Sequence, residues 1–175
     1  MMQRDVSTVP ALCLALAATL QHKGWMMATA ESCTGGLIAG ACTDLSGSSQ
    51  WFERGFVTYS NQAKTELLGV DPLVLQREGA VSEAVVRAMV QGALQHAPVQ
   101  IAVAVTGVAG PTGGSADKPV GTVWFGWNID GRICSELRHL PGDRADVRRA
   151  TVQYALTRLL ALLGEAATPP EHGNH

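Results

Sequence analysis

The segment that most restricts what this chain can fold into runs from Trp25 to Cys42. A short apolar stretch, Trp25 to Ala30, breaks into Glu31-Ser32-Cys33-Thr34-Gly35-Gly36 and resumes as small and apolar residues from Leu37 to Cys42. Short apolar run, glycine-bearing turn and resumed apolar run read as strand, tight turn and helix. A strand that feeds directly into a helix points to an α/β chain.

The rest of the chain extends that pattern. Thr8 and Pro10 open a helix that ends in His22-Lys23-Gly24, a basic last turn with a capping glycine. Gly55 to Tyr59 is strand-like, Ser60 to Leu68 is helical up to Gly69, and Ser82 caps a longer helix reaching His96. Ile101 to Val105 reads as a buried strand. Thr122 to Trp127 and Ile133 to Leu140 form a hairpin through Asp130-Gly131. A last helix runs from a capping Asp143 to Leu163, and Gly164 to His175 reads as a disordered tail. The expected fold is one α/β domain over residues 1–163, a three-layer α/β/α arrangement around a mixed sheet that includes one antiparallel hairpin.

Composition sets limits on function. The chain has 175 residues, 46% hydrophobic and 16% charged, which suits a single domain with one sizeable core. Thirteen Lys plus Arg against 15 Asp plus Glu give no basic field for nucleic acid phosphates. Cys13, Cys33, Cys42 and Cys134 have no C-x-x-C spacing, and the five histidines are scattered, so no metal site is expected. Arg4 followed by the apolar run Val9 to Leu20 has the size of a signal-peptide core. Asp5, the helix start at Thr8 and Pro10, and the basic capped end favour an ordinary first helix instead. No apolar run reaches the ~18 residues of a membrane span, so a cytoplasmic protein is expected.

Four constellations carry polar chemistry. In Glu31 to Gly36, Ser32 stands where a strand ends and a helix begins, so neighbouring helix-start amides are placed to hold an oxyanion if a base removes the serine proton. A plain capping turn is the structural reading of the same residues. In Tyr59-Ser60-Asn61-Gln62-Ala63-Lys64, a lysine kept neutral by burial or a cationic neighbour, or a tyrosine whose proton it draws, is a candidate base. Lys64 lies five positions after Tyr59, not the four of one helix face, and a solvated lysine is the structural alternative. Thr106 to Gly114 follows a buried strand with glycines that let backbone amides approach a ligand. It lacks the Gly-Lys-Ser/Thr ending of an ATP-binding loop. Finally, Gly142-Asp143-Arg144 opens the last helix, with Arg148 and Arg149 one turn on, and Arg144 has the planar fork that suits a phosphate.

Together, A-E-S-C-T-G-G at Ala30 to Gly36, Y-S-N-x-x-K at Tyr59 to Lys64, G-A-V-S at Gly79 to Ser82, T-G-x-A-G-P at Thr106 to Pro111, K-P-V-G-T-V at Lys118 to Val123 and G-D-R at Gly142 to Arg144 resemble the CinA C-terminal domain family. The resemblance spans Leu12 to Leu163. Full-length members carry a further N-terminal domain for which 175 residues leave no room, so the stand-alone type is expected. That type hydrolyses the carboxamide of nicotinamide mononucleotide to nicotinic acid mononucleotide and ammonia, without a cofactor.

The resemblance implies Ser32 as nucleophile and Lys64 and Tyr59 as its proton-transfer partners. It implies Thr34, Gly35, Gly36, Thr106, Gly107, Gly110 and Gly114 as substrate contacts, Arg144 as a phosphate ligand, and a homo-oligomer. One departure is visible: His139-Leu140-Pro141 stands where an aromatic residue commonly precedes the glycine of G-D-R. No histidine falls in any matched motif, which disfavours a Ser-His-Asp triad. Attack by water with Ser32 only binding substrate stays open. So do a catalytically silent nucleotide-binding regulatory module and a recruiting partner in DNA uptake or repair, although the near-neutral charge counts against direct DNA contact.

Overall fold

The computed structural model describes residues 8–167. They form a five-stranded sheet in the order β2-β1-β3-β4-β5, with strands β1 (Met27–Glu31), β2 (Phe52–Val57), β3 (Ile101–Gly107), β4 (Thr122–Ile129) and β5 (Arg132–His139). β1 pairs in parallel with both β2 and β3, whereas β3, β4 and β5 run antiparallel in turn. Helices α1 (Val9–Lys23), α2 (Leu37–Thr43) and α6 (Arg144–Ala167) cover one face; α3 (Asn61–Leu68), α4 (Pro72–Glu78) and α5 (Glu83–His96) cover the other. The result is the mixed, two-sided α/β/α architecture expected.

Strand alternation decides which layer each residue serves. Ile101, Val103 and Val105 of β3 join the core under α1 and α6, and Ala102 and Ala104 join the core under α5. Across the sheet, Ala30, Ala104 and Gly126 are in register. This row of small residues lets α5 lie close, because a Cβ on Gly126 would stand 2.8 Å from Val90 Cγ2. The opposite core is filled by rings. Phe125 and Trp127 stack at 5.7 Å, Tyr154 meets Phe125 edge-on, and the Trp127 indole donates to the Ala155 carbonyl at 3.1 Å.

Local chemistry explains the ends of the elements. Thr8, Ser60, Asp71 and Ser82 cap their helices through side-chain oxygens. Asp143 and Asp146 each accept the other's backbone N–H at the start of α6. Asp130 and Gly131 both take positive φ in the β4–β5 turn, the geometry an Asp-Gly hairpin requires.

Some bounds differ from the sequence reading. β1 begins at Met27, because Trp25 closes the capping turn of α1 through its bond to the Leu20 carbonyl. β2 starts at Phe52 rather than Gly55, and α4 and a short 3-10 turn at Ser48–Gln50 were not anticipated. α6 continues through Gly164 to Ala167, four residues into the expected tail; the remainder of that tail lies outside the described residues.

This topology positions a site. β1 is flanked by β2 on one side and β3 on the other, so the chain leaves it in opposite directions at the carboxyl ends of β1 and β3. Open α/β sheets form their ligand crevice at such a switch point.

Candidate active site

The turn after β1 is built around a buried carboxylate. Alternation sends Glu31 to the α2 face and Ser32 to the opposite, α3 face. Glu31, fully buried, folds back over the start of α2 and accepts from the Thr34 hydroxyl at 2.6 Å, Ile38 N at 2.8 Å, Ala39 N at 3.0 Å and the Thr29 hydroxyl at 3.2 Å. Charge-assisted bonds of this kind are the stronger class. Ser32 is held from the other side by its own amide, which donates to the Val105 carbonyl at 3.1 Å. Gly35 and Gly36 complete the reversal with φ of 57° and 100°, values that strain any residue with a Cβ.

Facing Ser32 is Lys64, only 1% exposed. Its Nζ lies 2.9 Å from Ser32 Oγ, 2.9 Å from the Thr58 carbonyl and 3.4 Å from the Tyr59 carbonyl. Burial holds its pKa below the ordinary lysine value, and among the described residues no carboxylate bonds to it. Nζ donates to all three oxygens; once neutral it keeps two N–H groups for the two carbonyls and can turn its lone pair toward the serine hydroxyl. The arrangement can take the proton of Ser32 as the oxygen attacks a carbonyl carbon.

Ser32 and Lys64 open into a cavity of about 340 Å³, walled by Cys33, Tyr59, Asn61, Ala80, Val81 and the loop from Thr106 to Gly113, with Arg144 at its rim. Burial pushes the Cys33 thiol up to about 11. The loop is fixed at its base, where Thr106 Oγ1 donates to the Ala80 carbonyl at 2.9 Å, Val108 N to Thr122 O and Gly121 N to Val108 O, both at 2.8 Å. Further along, the amides of Ala109, Gly110, Thr112 and Gly113 donate to no protein group among the described residues. They are the donors left for a ligand.

The residues singled out in the sequence divide into three groups. Ser32, Lys64, Thr106, Gly107, Gly110 and Arg144 share the cavity, as does Tyr59. Tyr59, however, meets Lys64 through its backbone carbonyl. Its exposed hydroxyl accepts from Arg144 Nη2 at 3.0 Å and bonds to neither Ser32 nor Lys64. Arg144 donates a second bond to the Gly110 carbonyl at 2.9 Å, tying the cavity's rim together.

Thr34, Gly35, Gly36 and Gly114 are not in the wall. Of the three amides expected to hold an oxyanion, Gly35 N donates to the Ser32 carbonyl, whereas Thr34 N and Gly36 N have no protein acceptor among the described residues; further into α2, Leu37 N is taken by the Thr34 carbonyl and Ile38 N and Ala39 N by Glu31. The Thr34 hydroxyl is committed to Glu31. Gly114 is a close-packing glycine, since a Cβ there would lie 2.9 Å from Val120 N.

Sequence reasoning did not single out the Glu31 side chain, Asn61, the 80–81 segment or the loop positions Val108, Ala109, Thr112 and Gly113. The signal for Glu31 was a carboxylate closing an otherwise apolar strand. For the 80–81 segment it was the matched G-A-V-S stretch. Among the described residues there is no cluster of three or more His, Cys, Asp or Glu side chains able to hold a metal ion, and no helix long and apolar enough to cross a membrane.

Comparison with known proteins adds independent findings. The family model described as the CinA C-terminal domain matches residues 11–163. A protein named nicotinamide-nucleotide amidohydrolase PncC from Enterobacter agglomerans is 54% identical over 150 residues, covering 85% of this chain and 92% of its own length. The protein of the same name from Pseudomonas putida is 52% identical over 154 residues, 88% of this chain and 96% of its own. Among solved structures, the competence damage-inducible protein A from Klebsiella pneumoniae superposes with a TM-score of 0.87 at 39% identity, covering 90% of this chain and 98% of that one.

Proposed function

The chain belongs to the CinA C-terminal domain family, and from that membership and the geometry at Ser32 we propose that it is an amidohydrolase that converts nicotinamide mononucleotide to nicotinic acid mononucleotide and ammonia. The names of its relatives support the substrate. The observation that carries the chemistry is the buried Lys64 Nζ 2.9 Å from Ser32 Oγ, with two carbonyls and no carboxylate for partners.

In this reading Ser32 Oγ attacks the carboxamide carbon while its proton passes to Lys64 Nζ. The amine group of the tetrahedral intermediate takes that proton, the C–N bond breaks and ammonia leaves, so Ser32 carries an ester to the nicotinoyl group. Water then attacks the ester carbonyl, giving its proton to Lys64, and the proton returns to Ser32 Oγ as the acid departs. Developing negative charge on the carbonyl oxygen falls to the free amides of the Ala109 to Gly113 loop or to the Thr34 and Gly36 amides beside Ser32. Tyr59 acts at the rim, orienting Arg144, and Arg144 serves the phosphate end of the substrate.

The test is ammonia release from nicotinamide mononucleotide by the purified protein and by Ser32→Ala. The wild type is expected to turn over and the variant to lose on the order of 10³-fold or more with an unchanged circular dichroism spectrum. Near-wild-type turnover in Ser32→Ala would remove Ser32 as nucleophile, and no ammonia from the wild type would remove the activity.

A further inference from the structure

The arginines among the described residues fall into two kinds. Arg54, Arg77, Arg87, Arg138, Arg149 and Arg158 each pair with a carboxylate. Exposed Arg132 at the start of β5 does not, and neither do Arg144 and Arg148. The last two stand four residues apart at the start of α6, on one face of the helix, and their partners are all neutral: the Gly110 carbonyl and Tyr59 hydroxyl for Arg144, the Thr34 carbonyl at 3.3 Å for Arg148. Arg148 Nε is buried with no acceptor at all. A buried N–H without an acceptor is rare in folded proteins and asks for an explanation.

Both side chains line a second cavity, about 650 Å³, whose other walls include Ala109, Pro111, Val120 and Gly142. The acid beside them, Asp143, has its carboxylate engaged by the amide of Asp146. Two guanidinium groups against one capping carboxylate leave the cavity positive, and the amino end of a 24-residue helix adds to that field. The second cavity shares Ala109 and Arg144 with the one that holds Ser32 and Lys64.

We infer that this second cavity is the phosphate subsite, in which Arg148 together with Arg144 grips the phosphate of a mononucleotide whose carboxamide lies at Ser32. This rests on the amidohydrolase reading for the identity of the substrate. It adds Arg148 as a residue that selects a nucleotide over a nucleoside. The planar fork of a guanidinium matches two phosphate oxygens.

Binding separates this from catalysis. Titration calorimetry on Ser32→Ala, with nicotinamide mononucleotide and with the nucleoside lacking the phosphate, is expected to show a preference for the mononucleotide of about 10-fold or more, the scale of a hydrogen bond to a charged group. Adding Arg148→Gln should collapse that preference to within about 3-fold, and inorganic phosphate, which should compete with the mononucleotide in the parent, should cease to compete. If Arg148 only props the Thr34 turn, both affinities fall by the same factor and the preference survives, which overturns the inference. So does a parent protein with no preference. Should Arg148→Gln fail to fold, Arg144→Gln, at an exposed position, must lower the preference, and an undiminished ratio there overturns the shared subsite. Ammonia release from wild type is scored separately: mononucleotide preference without ammonia release refutes the amidase and keeps the subsite, and ammonia release without the preference does the reverse.

Discussion

Glu31 and Lys64 flank the same serine and both are sealed from water, but the fold treats them in opposite ways. Glu31 receives four donors, two of them backbone amides at the start of α2. Lys64 receives two carbonyls and a hydroxyl, no opposite charge, and a pKa lowered by burial. A buried group surrounded by partners for its charged form is an anchor. One that is buried with no opposite charge beside it is poised to exchange a proton. On this difference we propose that Glu31 positions the turn that carries Ser32 and that Lys64 makes the proton transfer.

The sharpest way to break this comparison is to remove the ability of Lys64 to be neutral. Lys64→Arg keeps a cation that stays protonated, so ammonia release should fall by about 10³-fold, within the range for loss of a general base. If the variant keeps a tenth or more of wild-type turnover, Lys64 is a charge and not a base.

A smaller effect is expected at the anchor. Glu31→Gln preserves shape but turns one acceptor into a donor facing a backbone N–H or a hydroxyl, at a cost of about 2 kcal/mol. That corresponds to a loss of about 4–8 °C in melting temperature for a chain of this size. Turnover should drop roughly 10-fold through kcat with KM nearly unchanged, because the reacting oxygen is misplaced while the loop and arginines are not. A rise in KM alone, measured by steady-state kinetics, would place Glu31 in substrate binding instead.

The mildest change is Tyr59→Phe. It removes one exposed hydrogen bond to Arg144, and turnover should change by no more than about 5-fold, the scale of a single neutral bond. A loss comparable to Lys64→Arg would make the Tyr59 hydroxyl the base after all.

The sequence was readable where local rules act. The Asp130-Gly131 turn, the capping residues and the strand-turn-helix around Ser32 each follow from a few adjacent residues, and the layers follow from them. What stayed hidden depends on residues distant in sequence or on side chains reaching across a turn. Glu31 bonds Ile38 and Ala39, and Gly35 N turns back to the Ser32 carbonyl, so only part of the amide set that a strand-to-helix turn advertises for an oxyanion is left. Lys64 is five positions from Tyr59 and was ambiguous on spacing alone. Its burial against Ser32, 32 residues away, comes from α3 packing beneath the switch point. Arg148 stood in view one turn after Arg144, but its unpaired Nε is visible only once α6 docks against the 34–35 turn.

The most direct test of a neutral Lys64 is the pH dependence of kcat/KM for ammonia release. A base with a depressed pKa is inactive when protonated, so the rate should climb as pH rises through that lowered value. It should level off before the ordinary lysine range near ~10.4 is reached. A limb that keeps rising through that range, or a flat profile, would contradict the account.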